Sequence, residues 1–285
     1  MTDPIEKRHA FARTLLYALL GLGAVIMLLP MAWMVLTSLK SGTEVQLDPP
    51  TLLPQEARLD NYAVTFSEFN FTRYLANSLL VAVLSTVGTL VSATMAAYAF
   101  VAYRVRGQGL LFGLLISVLL LPAQVTVIPQ FQLFAQLGWV NTLLPLIVPA
   151  WFGTNVFAVF LLRQFFLTLP VAFIEAARLD GASEWRILWT IFVPLSKPAL
   201  LTVALFNFLG SWNDLWGPLV FVHDEARYTL PLGLLKFMAE AGKDGTSQVN
   251  LIMAVATVMT LPIVTLFFLA QKRFIEGVAS AGVKG

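Results

Sequence analysis

Cysteine is absent from the 285-residue chain, and histidine nearly so, with only His9 and His223. Without thiols there is no disulfide framework, no thiolate nucleophile and no cysteine-bound metal. Neither histidine has a second ligand candidate at metal-binding spacing, so no metal or cofactor is expected in this chain. Charge is scarce too, with Asp, Glu, Lys and Arg making 12% of the residues against about 25% in soluble domains. The phosphate-cradling pattern G-x-x-x-x-G-K-[ST] is missing, which leaves the chain without a nucleotide-hydrolysing loop of its own. Lacking paired histidines and clustered carboxylates in its apolar stretches, it has little with which to act as a membrane enzyme. A formal net charge of +2 gives no basic surface of the kind that seeks nucleic acid.

What remains is apolar. Hydrophobic residues make 58% of the chain and the mean hydropathy is +0.78, values that belong in a bilayer. Crossing roughly 30 Å of hydrocarbon takes about 20 apolar helical residues, and six stretches meet that length, near 14–37, 74–101, 109–129, 142–162, 198–221 and 249–270. The fold class predicted is therefore an all-α integral membrane protein with six transmembrane helices, embedded in lipid. Between the third and fourth stretches no charge marks the break, which is placed on Pro129, Gln130, Gln132, Gln136 and Gly138. Lys7, Arg8 and Arg13 ahead of the first stretch resemble a signal sequence, but the apolar run is too long for a signal core and reads as a retained helix.

Lysine and arginine accumulate in cytoplasmic loops, and an even number of spans puts both termini on one side. That side holds Lys7, Arg8, Arg13, Arg104, Arg106, Arg163, Arg178, Arg186, Lys197, Lys272, Arg273 and Lys284, twelve of the eighteen. The other holds Lys40, Arg58, Arg73, Arg227, Lys236 and Lys243, mixed with acids. Both termini are thus expected in the cytoplasm, along with 163–197, while 38–73 and 222–248 face outward. Along Tyr228–Ala241, Leu230, Leu234, Phe237 and Met238 share one side, which suits a helix at the outer surface or one packed on the bundle.

The most distinctive segment is FIEAARLDGASEWRILWTIFVPLSKP, residues 173–198. Pro170 suits a helix start, Phe173, Ile174, Ala177 and Leu179 give an apolar stripe, and Asp180 with Gly181 ends the helix. Ser183 caps a second helix, Glu184 to Val193, whose Trp185, Ile187, Leu188, Ile191 and Phe192 are too apolar for a free surface. Periodicity fits a docking element and an amphipathic interfacial helix equally well.

The order Glu175, Ala176, Ala177, then Gly181, Ile191, Val193 and Pro194 resembles the EAA loop of permease subunits in bacterial ABC importers. It departs where Val193 replaces a usual leucine. Asn77-Ser78-Leu79, SWNDLWGPL at 211–219 and the terminal GVASAGVKG extend the resemblance over nearly the whole chain, toward the maltose-type class of carbohydrate importers. It implies a type I ABC importer permease fold, in which a second homologous permease subunit, a cytoplasmic ATPase dimer that binds ATP and magnesium, and an extracytoplasmic solute-binding protein complete the machine. It implies that the chain is not an enzyme and that its coupling helix docks in an ATPase cleft. There Glu175 and Arg178 would make polar contacts, Ala176 and Ala177 would permit close approach, and Gly181, with Asp180 beside it in the coupling set, would aim the helix, although Gly181 also reads as a plain helix stop. The tail 274–285, with Gly277, Gly282 and Gly285, lies on the ATPase side, where it would order on contact or stay an ordinary disordered terminus.

For the substrate route, Asn207, Ser211 and Asp214 follow helical spacing and present one polar face, which should look inward rather than to lipid. Trp212 and Trp216 flank it, as sugar-stacking rings or as interfacial anchors. Gln124, Thr154 and Asn155 are further candidates that helix packing explains equally. No lysine or arginine falls inside the predicted spans, so a neutral di- or oligosaccharide is favoured over glycerol phosphate or another polyol, which the same machinery imports in relatives. A secondary transporter driven by an ion gradient would need a buried carboxylate or histidine relay, and the spans carry none apart from Asp214 near one end.

Overall fold

The structure is a computed structural model that describes residues 4–68, 70–103, 105–170, 172–241 and 248–282. Side chains are described from 13 to 268, apart from Glu68, Ala123 and Ala241 among them. Lys7, Arg8, Arg104, Lys243, Lys272, Arg273, Lys284 and the side chains of the tail lie outside this set. All regular structure among the described residues is helical. Four stretches are long and apolar enough to cross a membrane: Arg13–Ser38, Phe71–Ala102, Leu144–Phe166 and Val249–Phe268. Two bent pairs pass the same test only when each is taken together, Gln108–Leu120 with Gln124–Gln136 and Glu184–Leu195 with Lys197–Trp212.

The chain divides into two compact units. One comprises residues up to 69 and 236–261. Its helix α1, Pro4–Ser38, has an apolar surface that is almost wholly exposed between Leu15 and Leu29, as suits lipid contact. After α1 the chain passes through a compact segment to α2, Asp60–Glu68, and three polar residues organise it. Lys40, 2% exposed, donates to the Thr51 carbonyl and stands 4.6 Å from the centroid of the Trp33 ring. Glu44 is buried and accepts from the Thr51 hydroxyl at 2.7 Å and the Gln55 amide at 3.0 Å. Asn61 donates to the carbonyls of Ser38 and Lys40, and its own oxygen accepts from Asn250. These three buried polar groups are thus paired, which offsets the cost of taking them out of water.

The other unit, 70–235 with 262–285, is built on α3, Phe71–Ala102. At about 1.5 Å per residue its 32 residues exceed the hydrocarbon thickness. Ser78, Ala82, Ser85, Thr89, Ala93 and Ala97, all buried, make a stripe of small residues along it. Small residues let helices approach closely inside a membrane, and this face takes α7, α11 and the segment 148–152. Gly88 has a specific reason to be glycine, because a β-carbon there would lie 2.5 Å from the Trp151 ring.

The remaining elements follow the breakers. Helix α4, Gln108–Ser117, tightens over 118–120 and stops at Leu121-Pro122, before α5, Ala123–Gln136. The two halves meet at 100°, so the predicted third span is not one straight rod. Pro129, expected to break the chain, sits inside α5, and the stop comes at Gly138, whose φ of +69° suits glycine. Helix α6, Leu144–Ile147, leads through the tight 148–152 turn to α7, Val156–Phe166. Helix α7 outruns the predicted span and places Arg163 within a membrane-length stretch, its guanidinium 4.0 Å from the Phe112 ring centroid. Helices α8, Ala172–Leu179, and α9, Glu184–Ile187, are followed by a widened π turn over Leu188–Phe192 and the short α10, Val193–Leu195. Pro194 has no N–H for the carbonyl four residues back, which favours such loosening. Helix α11, Lys197–Trp212, leaves at 82°. It ends earlier than the predicted fifth span, and α12, Trp216–Phe221, is a separate element. Helix α13, Leu230–Ala241, starts with Leu230 and Leu232 buried and reaches Met238 half exposed, so only its later turns keep the predicted surface character. Helix α14, Val249–Gly282, continues as helix into the tail.

Candidate functional site

Two constellations in the larger unit stand out. The first is the elbow between α8 and α9. Gly181 takes φ +77°, the Gly181 amide donates to the Arg178 carbonyl, and the Ala182 amide reaches back to the Ala177 carbonyl at 2.9 Å. This paired closure is the Schellman ending of a helix, which wants glycine at its left-handed position. Ser183 then accepts from the Arg186 amide and starts α9, as its sequence position predicts. The sharp reversal brings Arg178 and Glu184 face to face, with Arg178 Nε donating to Glu184 Oε1 at 2.7 Å.

Exposure sorts the elbow's residues. Ile174 and Ala177 point inward into a core with Ala97, Val159, Leu162, Phe166, Ile187 and Phe192. Ala177 is therefore a packing residue of this chain. Phe173, Glu175, Ala176, Leu179, Asp180 and Gly181 are outward, Leu179 at 89% exposure. An exposed leucine among an acid pair and an alanine is a surface shaped for contact rather than for water. Arg178 is exposed too, its side chain at 41%, yet it is also engaged within the chain, and the Glu184 hydrogen bond holds its guanidinium pKa above the ordinary value. Its Nη2 also donates to the carbonyl of Ala102 at 3.2 Å, while Tyr98 Oη donates to Glu184 Oε2 at 2.7 Å. Sequence reasoning missed Tyr98 and the pairing role of Glu184. A tyrosine one turn from a helix end and an acid six residues after an arginine carry no local signal of meeting.

The second constellation is a polar seam between α3, α7 and α11. Asn207 Oδ1 accepts from Thr89 and from Asn155 Nδ2, each at 3.0 Å, and Asn207 Nδ2 donates to Thr86 at 3.2 Å. One turn on, Ser211 and Ser85 share a hydrogen bond of 2.8 Å. Asn155 works at both ends, since its Oδ1 also caps α7 by accepting from the Ala158 amide. The polar face of α11 thus looks inward, but its bonds are spent on neighbouring helices. Asp214 does not share that face: α11 has ended, and the Asp214 carboxylate accepts from the Gly217 amide in the turn beyond. Trp212, at 0% exposure and stacked on Phe208, is core rather than a sugar platform, while Trp216 is exposed. Beside the seam, a groove of about 610 Å³ is lined by Thr126, Gln130, Thr154 and Asn155 with apolar walls from Leu119 and Phe157. Gln124 is exposed at the start of α5.

Near the start of α3, Asn77 donates to the carbonyls of Ala226 and Tyr228, Ser78 accepts from the Leu230 amide, and Tyr74 donates to Glu225. Asn141 accepts from the amides of His223 and Asp224. The Asn77-Ser78 pair therefore anchors the loop that leads into α13.

Several apolar spans with an exposed elbow and a buried polar seam define a polytopic helical membrane protein. Residues 88–280 match the family described as binding-protein-dependent transport system inner membrane component. The chain belongs to that family and is a multi-pass protein of the inner membrane, a transport component rather than an enzyme. It is 33% identical over 265 residues to the arabinooligosaccharides transport system permease protein of Halalkalibacterium halodurans, covering 92% of this chain and 93% of the relative. It is 32% identical over 264 residues to the trehalose/maltose transport system permease protein of Thermococcus litoralis, covering 92% and 93%. Among solved structures, its fold is that of a chain in a bacterial ABC transporter involved in the import of the acidic polysaccharide alginate, with a TM-score of 0.80 at 24% identity over 96% of this chain and 99% of that one.

Proposed function

We propose that this chain is one of two permease subunits of an ATP-driven, binding-protein-dependent importer of neutral di- or oligosaccharides. In this reading each bent pair crosses the membrane once, giving six spans with both termini in the cytoplasm. The segments 38–73 and 222–248 then face the solute-binding protein, and 163–197 faces an ATPase dimer that binds ATP and magnesium. The observation that carries the proposal is the elbow: Ile174 and Ala177 fix α8 to the core while Glu175, Ala176, Leu179 and Asp180 stay exposed. A rigid helix with one anchored and one open face transmits a push better than a flexible loop. Gly181 sets its angle.

The sugar assignment rests on the permeases of arabinooligosaccharides and of trehalose/maltose that the chain resembles throughout, and on the neutral amides and hydroxyls of the seam and groove. Asn155, Thr154 and Gln130 are assigned to the pathway wall, with Gln124 at its edge, and Asn207 and Ser211 hold that wall in place. The test is ATP hydrolysis by the reconstituted complex stimulated by its binding protein, comparing native chain with Gly181→Pro and Glu175→Ala. Loss of stimulation in assembled complexes supports coupling through the elbow, and native stimulation in both variants removes it.

A further inference from the structure

We infer that Arg178 caps the end of α3 from across the fold, held by Glu184 and Tyr98, so that the elbow and α3 move as one rigid clamp. The inference rests on the coupling role proposed above and names how the motion is carried. Ala102 is the last residue of α3, and the last carbonyls of a helix have no partner within it. Arg178 supplies one, with the positive charge that the negative end of the helix dipole favours. Its fork is aimed by Glu184 at 2.7 Å, and Glu184 is aimed in turn by Tyr98, which lies one turn before Ala102 on the same helix. The circuit is closed: Tyr98 to Glu184 to Arg178 to Ala102, two contacts on α3 and two on the elbow. A single contact would act as a hinge, whereas two contacts separated by a helical turn resist rotation. Below the circuit the Tyr98 ring packs edge-on against Phe192, with centroids 5.1 Å apart. Helix α3 also carries the small-residue stripe and the hydroxyls of the seam, so a push on the elbow reaches Thr86 and Thr89 without passing through a loop.

The natural absence of cysteine makes a clean test available. Spin labels at Tyr103→Cys, just past α3, and Ala172→Cys, at the start of α8, report their separation by pulsed electron resonance in the purified complex. Measurements are made without nucleotide and with ATP plus vanadate. The clamp predicts one narrow distance, the same in both states, and a broadened distribution in Tyr98→Phe and Glu184→Gln, where the first removes only a hydroxyl. It also predicts a fall in binding-protein-stimulated hydrolysis of about fivefold or more in both variants, the range of ordinary coupling energies. A distance that shifts between states in the native background overturns the clamp, as does native width in both variants. If Gly181→Pro abolishes stimulation while Tyr98→Phe and Glu184→Gln keep native width and stimulation, only the clamp falls. If stimulation survives Gly181→Pro, the coupling role itself fails.

Discussion

Replacing Asn207 by leucine should weaken the fold measurably, because this one side chain closes three hydrogen bonds between three helices. It accepts from Thr89 and Asn155 and donates to Thr86. Interhelical bonds inside membranes average about 0.6 kcal/mol and reach about 1.7. Three of them are therefore worth about 2 kcal/mol at the average and about 5 kcal/mol at the ceiling. Two considerations place the expected loss at about 2 to 3 kcal/mol. Thr89 and Thr86 are 1% and 8% exposed, so water does not rescue them, but a threonine hydroxyl can turn back to a carbonyl of its own helix. Asn155 keeps its bond to the Ala158 amide throughout. Ser211→Ala is the internal control, since it forfeits only the single bond to Ser85, worth about 0.6 kcal/mol. Reversible unfolding in mixed micelles reads both variants on one scale. A loss below about 0.5 kcal/mol for Asn207→Leu, or equal losses for the two variants, would show that the seam is not held by these bonds.

Two further outcomes follow from close contacts and from charge. Gly233→Ala would set a β-carbon 2.4 Å from the buried Tyr74 ring, whose hydroxyl is tied to Glu225, and should cost about 1–3 kcal/mol, whereas Gly21→Ala in α1 meets nothing within 4 Å and should be neutral or mildly stabilising; equal thermal shifts would refute the contact. Burial alone would raise the Glu44 carboxyl, but the Thr51 hydroxyl, the Gln55 amide and Lys40 outweigh it and hold its pKa below the ordinary carboxylate value. A lowered carboxylate pKa contributes stability that is complete above the unfolded value and lost as pH falls through the folded one. Protection of the Gln55 amide against hydrogen exchange should therefore hold through neutral and mildly acidic pH and be lost only as pH falls through the lowered carboxyl pKa, and Glu44→Gln should flatten that dependence.

Hydropathy found the four stretches that reach membrane length by themselves because apolar length alone decides them, and the cap residues Gly181 and Ser183 were readable because their demands are local. Direction was not readable. The bend at Leu121-Pro122 and the one at Ser196 lie inside or beside apolar runs, and hydropathy carries no angle. Pro129 misled for a related reason: a membrane helix tolerates proline in its interior, and only the left-handed Gly138 stopped the chain. Arg178 takes an outside contact from the resemblance alone, and nothing in its local sequence signals the contacts it makes within the chain. Its true partner carbonyl lies 76 residues away, and the Tyr98 bond to Glu184 spans 86. Such pairs leave no periodic trace. Asn207 and Ser211 were found by spacing, yet whether a polar stripe meets water or another helix depends on α3, whose serines and threonines look unremarkable within an apolar run.

The π turn at Leu188–Phe192 accommodates one residue more than a regular helix would. Deleting a single residue there would turn the stretch into ordinary helix at almost no cost in composition. Because the wide turn absorbs its extra residue locally, the helix on either side would keep nearly its present register, with Glu184 still facing Tyr98. The spare residue is thus a buffer for chain length. Relatives that gain or lose it would aim the same elbow sequence in the same direction, and a gap in an alignment at this point would signal no change of aim.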